Sequence, residues 1–232
     1  KAYLGVQGIR YLREDTSGNI WFIHDKNLGV LDMSEKTPRV IYLPELNDKM
    51  LSGFEFIYPV DENNVFLGGE KGFYHINYAK YKQTVPSLSV QIRSVRISDG
   101  RDSVLFGGYF HNVNEKLVQD KKDIPRIPYS WKTIHFEYSS SLFGYQANLE
   151  YSYRLTGFDD SWSEWTKRTE KEYTNLPSGH YSFEVKMRNN LGNESMIATY
   201  SFKVLAPWYQ SGMAVAGYIL LALLAIILIY RW

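Results

Sequence analysis

The sequence predicts an all-β chain that ends in one transmembrane α-helix. Three observations support this fold class. A stretch built from a polar turn and an apolar strand recurs after 45 residues near the start of the chain, when Asn19 is aligned with Asn64. Short segments in the middle alternate apolar and polar residues, and 18 consecutive residues near the end carry no charge. Alternation with period two is typical of strands with one buried face, and an uncharged run of this length is typical of a membrane span.

Residues 1–83 contain the repeat. Its two copies are Asp15–His24 followed by Gly29–Asp32, and Asp61–Gly69 followed by Gly72–His75. In each copy the polar turn leads into an apolar strand, and we expect Gly29 and Gly72 to allow a second tight turn. A period of 45 residues is the size of a β-propeller blade. We therefore predict the last blades of a propeller here, and because a ring needs four or more blades, we expect the others to lie upstream.

Residues 86–207 carry the period-two pattern. The apolar positions of four segments are Ile134, Phe136 and Tyr138; Leu149, Tyr151, Tyr153 and Leu155; Tyr181, Phe183, Val185 and Met187; and Tyr200, Phe202 and Val204. A fifth segment alternates from Leu88 to Ile92 and then changes phase, which predicts a β-bulge or a strand that changes sheets near Arg93–Ser94. About seven short strands without a helical stretch fit an immunoglobulin- or fibronectin-like β-sandwich.

Residues 213–230 are predicted to be a transmembrane helix. At the helical rise per residue this stretch spans roughly 27 Å, close to the thickness of a bilayer core. A buried core helix is the alternative, but a stretch that is apolar on all sides favours contact with lipid. Aromatic side chains typical of the membrane interface flank the stretch, and these are Trp208, Tyr209, Tyr230 and Trp232. Arg231 predicts a cytoplasmic C-terminal end, which leaves residues 1–207 outside the cytoplasm.

Composition excludes several classes of function. The 26 basic and 25 acidic side chains give a formal net charge of +1, too balanced for the basic surface that binds nucleic acid. The chain has no cysteine, so it has neither disulfides nor thiolate metal sites. Lys1–Gly5 lack the features of a signal peptide, and we expect the chain to be part of a longer polypeptide.

We predict no catalytic residue, no cofactor and no metal site. None of the common catalytic or phosphate-binding motifs is present. The five histidines stand singly along the chain, at His24, His75, His111, His135 and His180. Asp15–Asn19 weakly resembles a calcium loop but lacks the later bidentate glutamate, so a polar turn explains it better. Asp159 and Asp160 could pair with Glu164 as hydrolytic carboxylates, but we expect them to solvate a loop instead.

Several longer runs resemble a known family. They are Tyr151–Trp165, Lys171–Lys186, Arg188–Gly192 and Ala206–Tyr209, the last directly before the membrane stretch. Their order is similar to the triple-tyrosine (Y_Y_Y) domain of bacterial sensors, from about Ser89 to Tyr209. The positions that match the family signature are Tyr153, Trp162, Trp165, Tyr173, Gly179, Tyr181, Asn189, Pro207 and Trp208. One departure is Ala206, where usual members carry proline. Likewise, Glu14–Asp15 and Gly18–Trp21 resemble the two-component-regulator propeller repeat, from which the second copy departs at Asn63–Phe66.

The resemblance implies the extracytoplasmic sensor region of a single-pass protein of the bacterial inner membrane. Its missing cytoplasmic part would be a histidine kinase or a LuxR-type regulator, the sensing regions would form a homodimer, and a glycan fragment or other small ligand would bind at the propeller. The sandwich would then act as a lever between propeller and membrane. A membrane-anchored surface enzyme or adhesin with the sandwich as spacer is the alternative. Trp162, Trp165 and Tyr173 are expected to be structural, although large aromatic side chains also suit a ligand-stacking surface.

Overall fold

The computed structural model of the chain describes residues 8–24, 26–51, 53–83, 88–108, 111–113, 116–119, 123–141 and 148–232. These residues have the predicted all-β architecture with one long apolar helix at the C-terminal end. The chain divides into two compact units. Unit 1 comprises 1–89, 140–150 and 187–196, and unit 2 comprises 90–139, 151–186 and 197–232.

Unit 1 contains two antiparallel sheets. The four-stranded sheet has the order β1 (Ile9–Glu14), β2 (Ile20–His24), β3 (Asn27–Asp32) and β4 (Arg39–Tyr42). The three-stranded sheet has the order β5 (Ile57–Asp61), β6 (Asn64–Gly69) and β7 (Gly72–Ile76). Each sheet is a simple meander in which neighbouring strands follow one another in the chain, as short polar turns between apolar strands favour.

One apolar core lies between the two sheets of unit 1. Alternate residues of β2 and β3, among them Trp21 and Val30, share this core with Val65 and Leu67 of β6. Tyr78 closes it, with its ring edge-on to Trp21 at a centroid distance of 5.3 Å. Tyr78 begins helix α1 (Tyr78–Gln83), and a 3₁₀ helix covers Pro44–Lys49. The sequence pattern did not predict these two short helices.

The two glycines that the sequence assigned to turns have different roles. Gly72 has a φ of +128° at the start of β7 and does follow a turn, as predicted. The prediction for Gly29 is wrong, because this residue lies inside β3. A Cβ atom there would come within 2.3 Å of the Phe22 ring, so glycine is required for the close approach of that ring and not for a turn.

Unit 2 is built mainly from two four-stranded sheets. One has the order β12 (Arg126–Ile127), β17 (Ala198–Val204), β16 (Gly179–Arg188) and β14 (Glu150–Thr156). The other has the order β15 (Glu170–Thr174), β13 (Thr133–Ser140), β8 (Val90–Ser98) and β9 (Asp102–Phe106). A separate hairpin joins β10 (His111–Val113) to β11 (Lys116–Val118). The last residues of β13 and β16 and the first residue of β14 belong to unit 1.

Aromatic rings fill the space between the two large sheets. Phe136 of β13 stacks on Phe183 of β16 at 4.1 Å, so the two sheets face each other as a sandwich. The four segments with clean alternation are confirmed as β13, β14, β16 and β17, and most of their apolar positions are buried. Leu149 lies one residue before β14. The phase change predicted near Arg93–Ser94 is also present, and the pairing of β8 with β9 shifts register between Val95 and Arg96.

The chain ends in helix α2 (Gly212–Arg231), which contains the whole predicted span. Ser211 caps its first turn, since the Ser211 hydroxyl accepts a hydrogen bond from the Ala214 amide at 3.3 Å. None of the 18-residue apolar window of this helix is buried against the rest of the protein. Apolar side chains exposed along an entire helix indicate a lipid-facing segment.

Candidate functional site

The three tyrosines among the signature positions lie in unit 2, on three different strands. Tyr153 is on β14, Tyr173 on β15 and Tyr181 on β16. The rings of Tyr153 and Tyr173 both pack against the Phe183 ring, with distances between ring centroids of 6.3 and 6.4 Å. The Tyr181 ring stacks on the Phe202 ring instead, with a centroid distance of 5.5 Å. The tyrosines therefore surround the central stack of phenylalanines.

Tyr173 is fixed by a carboxylate. Its hydroxyl donates to Asp159 Oδ2 at 2.6 Å, and the same oxygen accepts the Leu155 amide at 2.7 Å. Burial and the hydrogen bond to Asp159 raise the pKa of the Tyr173 hydroxyl well above its ordinary value, so the group stays neutral. Asp159 thus ties the loop after β14 to β15. Its Oδ2 atom accepts two hydrogen bonds, which supports a structural role over the hydrolytic one.

Tyr181 closes its own turn. Its hydroxyl donates to the Pro177 carbonyl at 2.9 Å, four residues earlier in the chain. Gly179 lies beneath the ring, where a Cβ atom would stand 3.3 Å from the Tyr181 Cζ and hydroxyl oxygen. Burial raises the pKa of Tyr181. The spacing of Pro177, Gly179 and Tyr181 is therefore a packing requirement of this turn.

Cations cover the two tryptophans of the signature. Arg154 lies 4.7 Å from the centre of the Trp162 ring, and Lys186 lies about equally far from both tryptophan rings, 5.1 Å from Trp162 and 5.2 Å from Trp165. Arg154 is held in turn by Glu184, with a distance of 2.6 Å between Nε and Oε2. Cations over aromatic faces stabilise an outer sheet surface. These contacts support the structural interpretation of Trp162 and Trp165.

Asp15 explains the polar turn of the first repeat. Its Oδ1 accepts the amides of Ser17 and Asn19, each at 2.9 Å, and its Oδ2 accepts Asn19 Nδ2 and Trp21 Nε1, each at 3.0 Å. Gly18 supplies the positive φ of +87° that the turn needs. Because four donors already saturate this carboxylate, the turn interpretation accounts for Asp15 without an ion.

Asp61 organises the polar turn of the second repeat, with donors from two residues, Asn63 and Asn64. Its Oδ1 accepts the Asn63 amide at 2.8 Å, and Asn64 Nδ2 approaches both carboxylate oxygens, at 3.1 and 3.2 Å. Two residues, 62–63, separate β5 from β6, whereas five, 15–19, separate β1 from β2, and the second turn lies nearer the surface. The sequence therefore located both turns correctly.

A cleft of about 180 Å³ lies in unit 1 near the end of β3. Its lining residues are Asp32, Ser34, Glu35, Arg39, Ile41, Lys82, Leu191 and Asn193. Asp32 is held there by Tyr78, whose hydroxyl donates at 2.7 Å, and by Lys82 at 3.2 Å. Burial opposes ionisation of this carboxyl, but hydrogen bonds from Ser34, Tyr78 and Lys82 outweigh it and lower the pKa of Asp32 to about 2. The cleft is smaller than most small-molecule sites.

Asn189 shapes a turn in unit 1. Its Oδ1 accepts the amides of Leu191 and Asn193, at 3.1 and 2.9 Å, and Gly192 adopts a positive φ of +84°. The next residue, Asn190, donates through Nδ2 to the Tyr42 carbonyl and the Tyr81 hydroxyl, each at 2.7 Å. Asn189 thus presents Asn190 to the first sheet, a role that the sequence pattern alone did not reveal.

The approach to α2 contains the remaining signature residues. Pro207 is buried and precedes a 3₁₀ helix, Trp208–Gln210, that leads to the cap of α2. Trp208 and Tyr209 are exposed, with their rings edge-on at 6.0 Å. Tyr230 and Trp232 are exposed at the far end of the helix, next to Arg231. Aromatic side chains at both ends of an apolar helix are placed as interfacial residues require.

In the part of the chain that the structure describes, no group of three or more His, Asp or Glu side chains has the geometry of a metal site. His135 is the most surrounded histidine, with Glu137 and Glu170 at 3.6 and 3.5 Å from its Nε2 atom. His111 has a described backbone only, so its side chain lies outside the description.

Comparison with known proteins gives a consistent picture. Residues 142–205 match the model of the Y_Y_Y domain. The chain is 23% identical over 194 residues to Histidine kinase P4 of Formosa agariphila, a match that covers 80% of this chain and 13% of the kinase. Its fold is similar to a solved extracellular domain of a hybrid two-component system from B. thetaiotaomicron, with a TM-score of 0.61 and 20% identity. That match covers 88% of this chain and 27% of the solved one.

The chain thus spans a small part of both relatives, at one place in much longer polypeptides. The region matched by the family model contains Tyr153, Tyr173 and Tyr181, and the tryptophans between the first two. Residues 142–205 are therefore a Y_Y_Y domain, in a chain that resembles the extracellular part of bacterial two-component sensors.

Proposed function

We propose that this chain is the membrane-proximal part of a single-pass receptor of the bacterial inner membrane. Unit 1 would belong to the ligand-binding region outside the cytoplasm, and unit 2 would pass a change in its arrangement to α2. The similarity to a histidine kinase and to the extracellular domain of a hybrid two-component system supports this role. The resemblance of the chain to the extracellular domain of a two-component system favours a sensory role for this part of the protein over a catalytic one.

The short, structured connection between the sandwich and α2 carries the proposal. Only residues 205–211 separate the end of β17 from the start of α2. Within them the Leu205 amide donates to the Ile127 carbonyl at 2.8 Å, and the Gln210 amide donates to Pro207 at 3.0 Å. Rigid elements transmit discrete shifts that a flexible linker would absorb. A movement of β17 therefore moves the first turn of α2.

The position of β17 supports a lever. It pairs with β16 from Gly179–Val204 to Val185–Ala198 and lies parallel to β12 on its other side. Gln119 adds a side-chain clamp, because its Nε2 donates to the Ser201 carbonyl and its Oε1 accepts the Ser201 amide. A strand held on both edges moves with its sheet. We propose that a homodimer of such receptors converts this movement into a change in the spacing or rotation of two α2 helices.

The ligand and the output domain follow from the same proposal. A glycan fragment or another small solute would bind at the propeller, and a histidine kinase or a LuxR-type regulator would follow α2. The kinase is supported by the similarity to a histidine kinase and to a hybrid two-component system. The ligand and the LuxR-type alternative rest on the resemblance of the sequence to the family. The natural reading frame beyond Trp232 distinguishes this proposal from a surface anchor, since an anchor would end in a short basic tail.

The lever is tested by a flexible insertion. In the full-length receptor, a Gly-Ser-Gly-Ser segment between Leu205 and Ala206 should abolish the transcriptional response to a panel of oligosaccharides. The matched control is the same insertion at the exposed turn beside Gly100, which should leave the response intact. An unchanged response with the insertion after Leu205 would show that the lever mechanism is wrong.

Membrane orientation is tested with single cysteines, which the cysteine-free chain makes unambiguous. Ser178→Cys lies in an exposed turn of unit 2, and Trp232→Cys lies beyond α2. An impermeant maleimide should label the first variant in intact spheroplasts and the second only after permeabilisation. Labelling of both without permeabilisation would exclude a cytoplasmic C-terminal end.

A further inference from the structure

The end of the sandwich from which α2 leaves carries an aromatic turn. β12 lies parallel to β17, and the Leu205 amide donates to the Ile127 carbonyl at 2.8 Å. Because the two strands run in the same direction, the turn that follows β12 lies at the same end of unit 2 as the connection to α2. This turn, called here the β12–β13 turn, comprises residues 128–132 with the sequence Pro-Tyr-Ser-Trp-Lys.

Backbone hydrogen bonds fix the β12–β13 turn. The Trp131 amide donates to the Pro128 carbonyl at 3.1 Å, which closes a β-turn. The Lys132 amide donates to the Ser98 carbonyl at 3.1 Å, and the Lys132 carbonyl accepts the Asn175 amide at 2.7 Å. The turn is therefore tied to two neighbouring segments of unit 2, and it presents its side chains from a rigid backbone.

The side chains of the turn combine aromatic rings with a cation. Tyr129 is 37% exposed, and the Lys132 ammonium group lies over its ring, 5.0 Å from the centre. Trp131 is half-buried. The turn contains no acidic residue, and Asp99 of the neighbouring turn is paired with Arg101 at 3.5 Å. Tyrosine, tryptophan and lysine have an apolar body and a polar tip, and such side chains are favoured where hydrocarbon meets water.

The membrane interface is within reach of this turn. Trp208 and Tyr209 are exposed just before α2, at the level where the headgroups around a spanning helix would lie. Trp208 comes three residues after Leu205, and a chain of this length spans at most roughly 11 Å. Since Leu205 is hydrogen-bonded to Ile127, the last residue of β12, the turn begins at a similar height above the bilayer.

We infer that the β12–β13 turn docks on the extracytoplasmic leaflet of the bilayer through Tyr129, Trp131 and Lys132. It would lie beside the interfacial residues Trp208 and Tyr209, so that the lipid contact of α2 continues onto the sandwich. This continuity favours a lipid surface over a partner protein as the occupant. The cation of Lys132 also suits anionic headgroups.

This inference rests on the proposed receptor function, because it requires α2 to span a bilayer. It adds a second contact between unit 2 and the membrane, besides the connection formed by residues 205–211. A body held at one point can tilt about that point in any direction, whereas a body held at two points turns only about the line that joins them. Docking of the turn would therefore restrict the direction in which a movement of β17 reaches α2.

Spin labels on single cysteines test the docking. The protein is the full-length receptor in a cysteine-free background, reconstituted in nanodiscs of phosphatidylethanolamine and phosphatidylglycerol. Ser130→Cys places the label in the turn, and Thr199→Cys places it on β17 at the end of the strand far from α2. Collision with oxygen, which dissolves in lipid, is compared with collision with a water-soluble nickel chelate. We expect the oxygen-to-nickel ratio to be severalfold higher at Ser130→Cys than at Thr199→Cys, and equal ratios would overturn the inference.

A third label distinguishes failure of the docking from failure of the proposed function. Leu223→Cys lies within α2 and should show the high oxygen-to-nickel ratio of a lipid-exposed site. A lipid-exposed Leu223→Cys together with a water-exposed Ser130→Cys overturns the docking alone, whereas a water-exposed Leu223→Cys overturns both. Low collision with both reagents at Ser130→Cys would indicate a protein contact, such as a second copy of the chain, and would also overturn the docking.

A matched pair of variants tests whether the exposed ring holds the turn on the bilayer. Tyr129→Asp, made in the Ser130→Cys protein, removes the ring and adds a negative charge, so the oxygen-to-nickel ratio should fall to the level at Thr199→Cys. Val104→Asp changes another exposed apolar side chain, on β9, and should leave the ratio at Ser130→Cys unchanged. An unchanged ratio in the Tyr129→Asp protein would show that the turn lies near the bilayer without docking on it.

Discussion

The two units of this molecule stabilise β-sheets in different ways. In unit 1, buried carboxylates organise the turns, and Asp15 and Asp32 each accept several short hydrogen bonds. In unit 2, stacked rings fill the interior, with Phe136 on Phe183 at the centre and Tyr173 at the rim. Hydrogen-bonded carboxylates depend on charge and exact position, whereas ring stacks depend on volume. The difference predicts that the units respond to different perturbations.

The largest effect is expected when the ring stack of unit 2 is removed. Phe183→Ala deletes a fully buried ring that contacts Phe136, Tyr138, Tyr153 and Tyr173. We expect a loss of about 4 kcal/mol in the free energy of unfolding of unit 2. Native-state hydrogen exchange resolved by mass spectrometry would measure it peptide by peptide. Phe183→Leu keeps most of the volume and should cost about 1.5 kcal/mol. Equal losses in both units would refute the contrast between them.

Removal of a buried carboxylate of unit 1 is expected to lower the free energy of unfolding almost as much. Asp15→Ala leaves the Trp21 indole and the Asn19 side chain without their acceptor in a buried site. Unpaired buried donors of this kind should cost unit 1 about 3 kcal/mol. Asp61→Ala is the matched control in the second repeat, where the turn is more exposed, and it should cost less than about 1 kcal/mol. Urea denaturation of both variants would measure the difference, and similar midpoints would contradict it.

The next largest effect is expected in acid, which should destabilise unit 1 through the protonation of Asp32. The pKa of Asp32 is lowered to about 2 in the folded protein from an ordinary 3.8, so its stabilisation is complete above the ordinary value and is lost as the pH falls toward 2. The loss in unit 1 should reach about 2 kcal/mol. Pulse proteolysis with pepsin in urea between pH 4 and pH 2 would measure it. Asp32→Asn should flatten this dependence, and a wild-type slope in that variant would exclude Asp32 as its source.

The sequence predicted far more of the strands than of the polar contacts. Alternation located β13, β14, β16 and β17 because a strand with one buried face repeats every two residues, whatever it packs against. The run of uncharged residues located helix α2 in the same way. The bond between Tyr78 and Asp32 joins residues 46 positions apart, and no local pattern encodes such a distance. Gly29 was assigned to a turn for the same reason, since only the folded sheet brings the Phe22 ring onto it.

The same limit applies to the candidate site. The resemblance pointed to Tyr153, Tyr173 and Tyr181 among the signature positions, but not to what holds each one. The sequence offers Asp159 as a carboxylate for hydrolysis, whereas in the structure Asp159 accepts the hydrogen bond from the Tyr173 hydroxyl. An acidic residue in a loop between strands is one signal that could have suggested this, because such residues often cap neighbouring groups.

The smallest effect tests whether carboxylates matter only in unit 1. Tyr173→Phe removes a hydrogen bond to the Asp159 carboxylate, and Tyr181→Phe removes one to the neutral Pro177 carbonyl. Hydrogen bonds to charged groups are stronger, so we expect losses of about 2 and about 1 kcal/mol in unit 2. Urea denaturation of the two single variants would measure the difference. Both substitutions keep the aromatic ring, so only the hydroxyl and its hydrogen bond are lost. If Tyr181→Phe proves the more costly, the carboxylate of Asp159 adds nothing beyond packing, and the contrast between a polar unit 1 and an aromatic unit 2 becomes sharper.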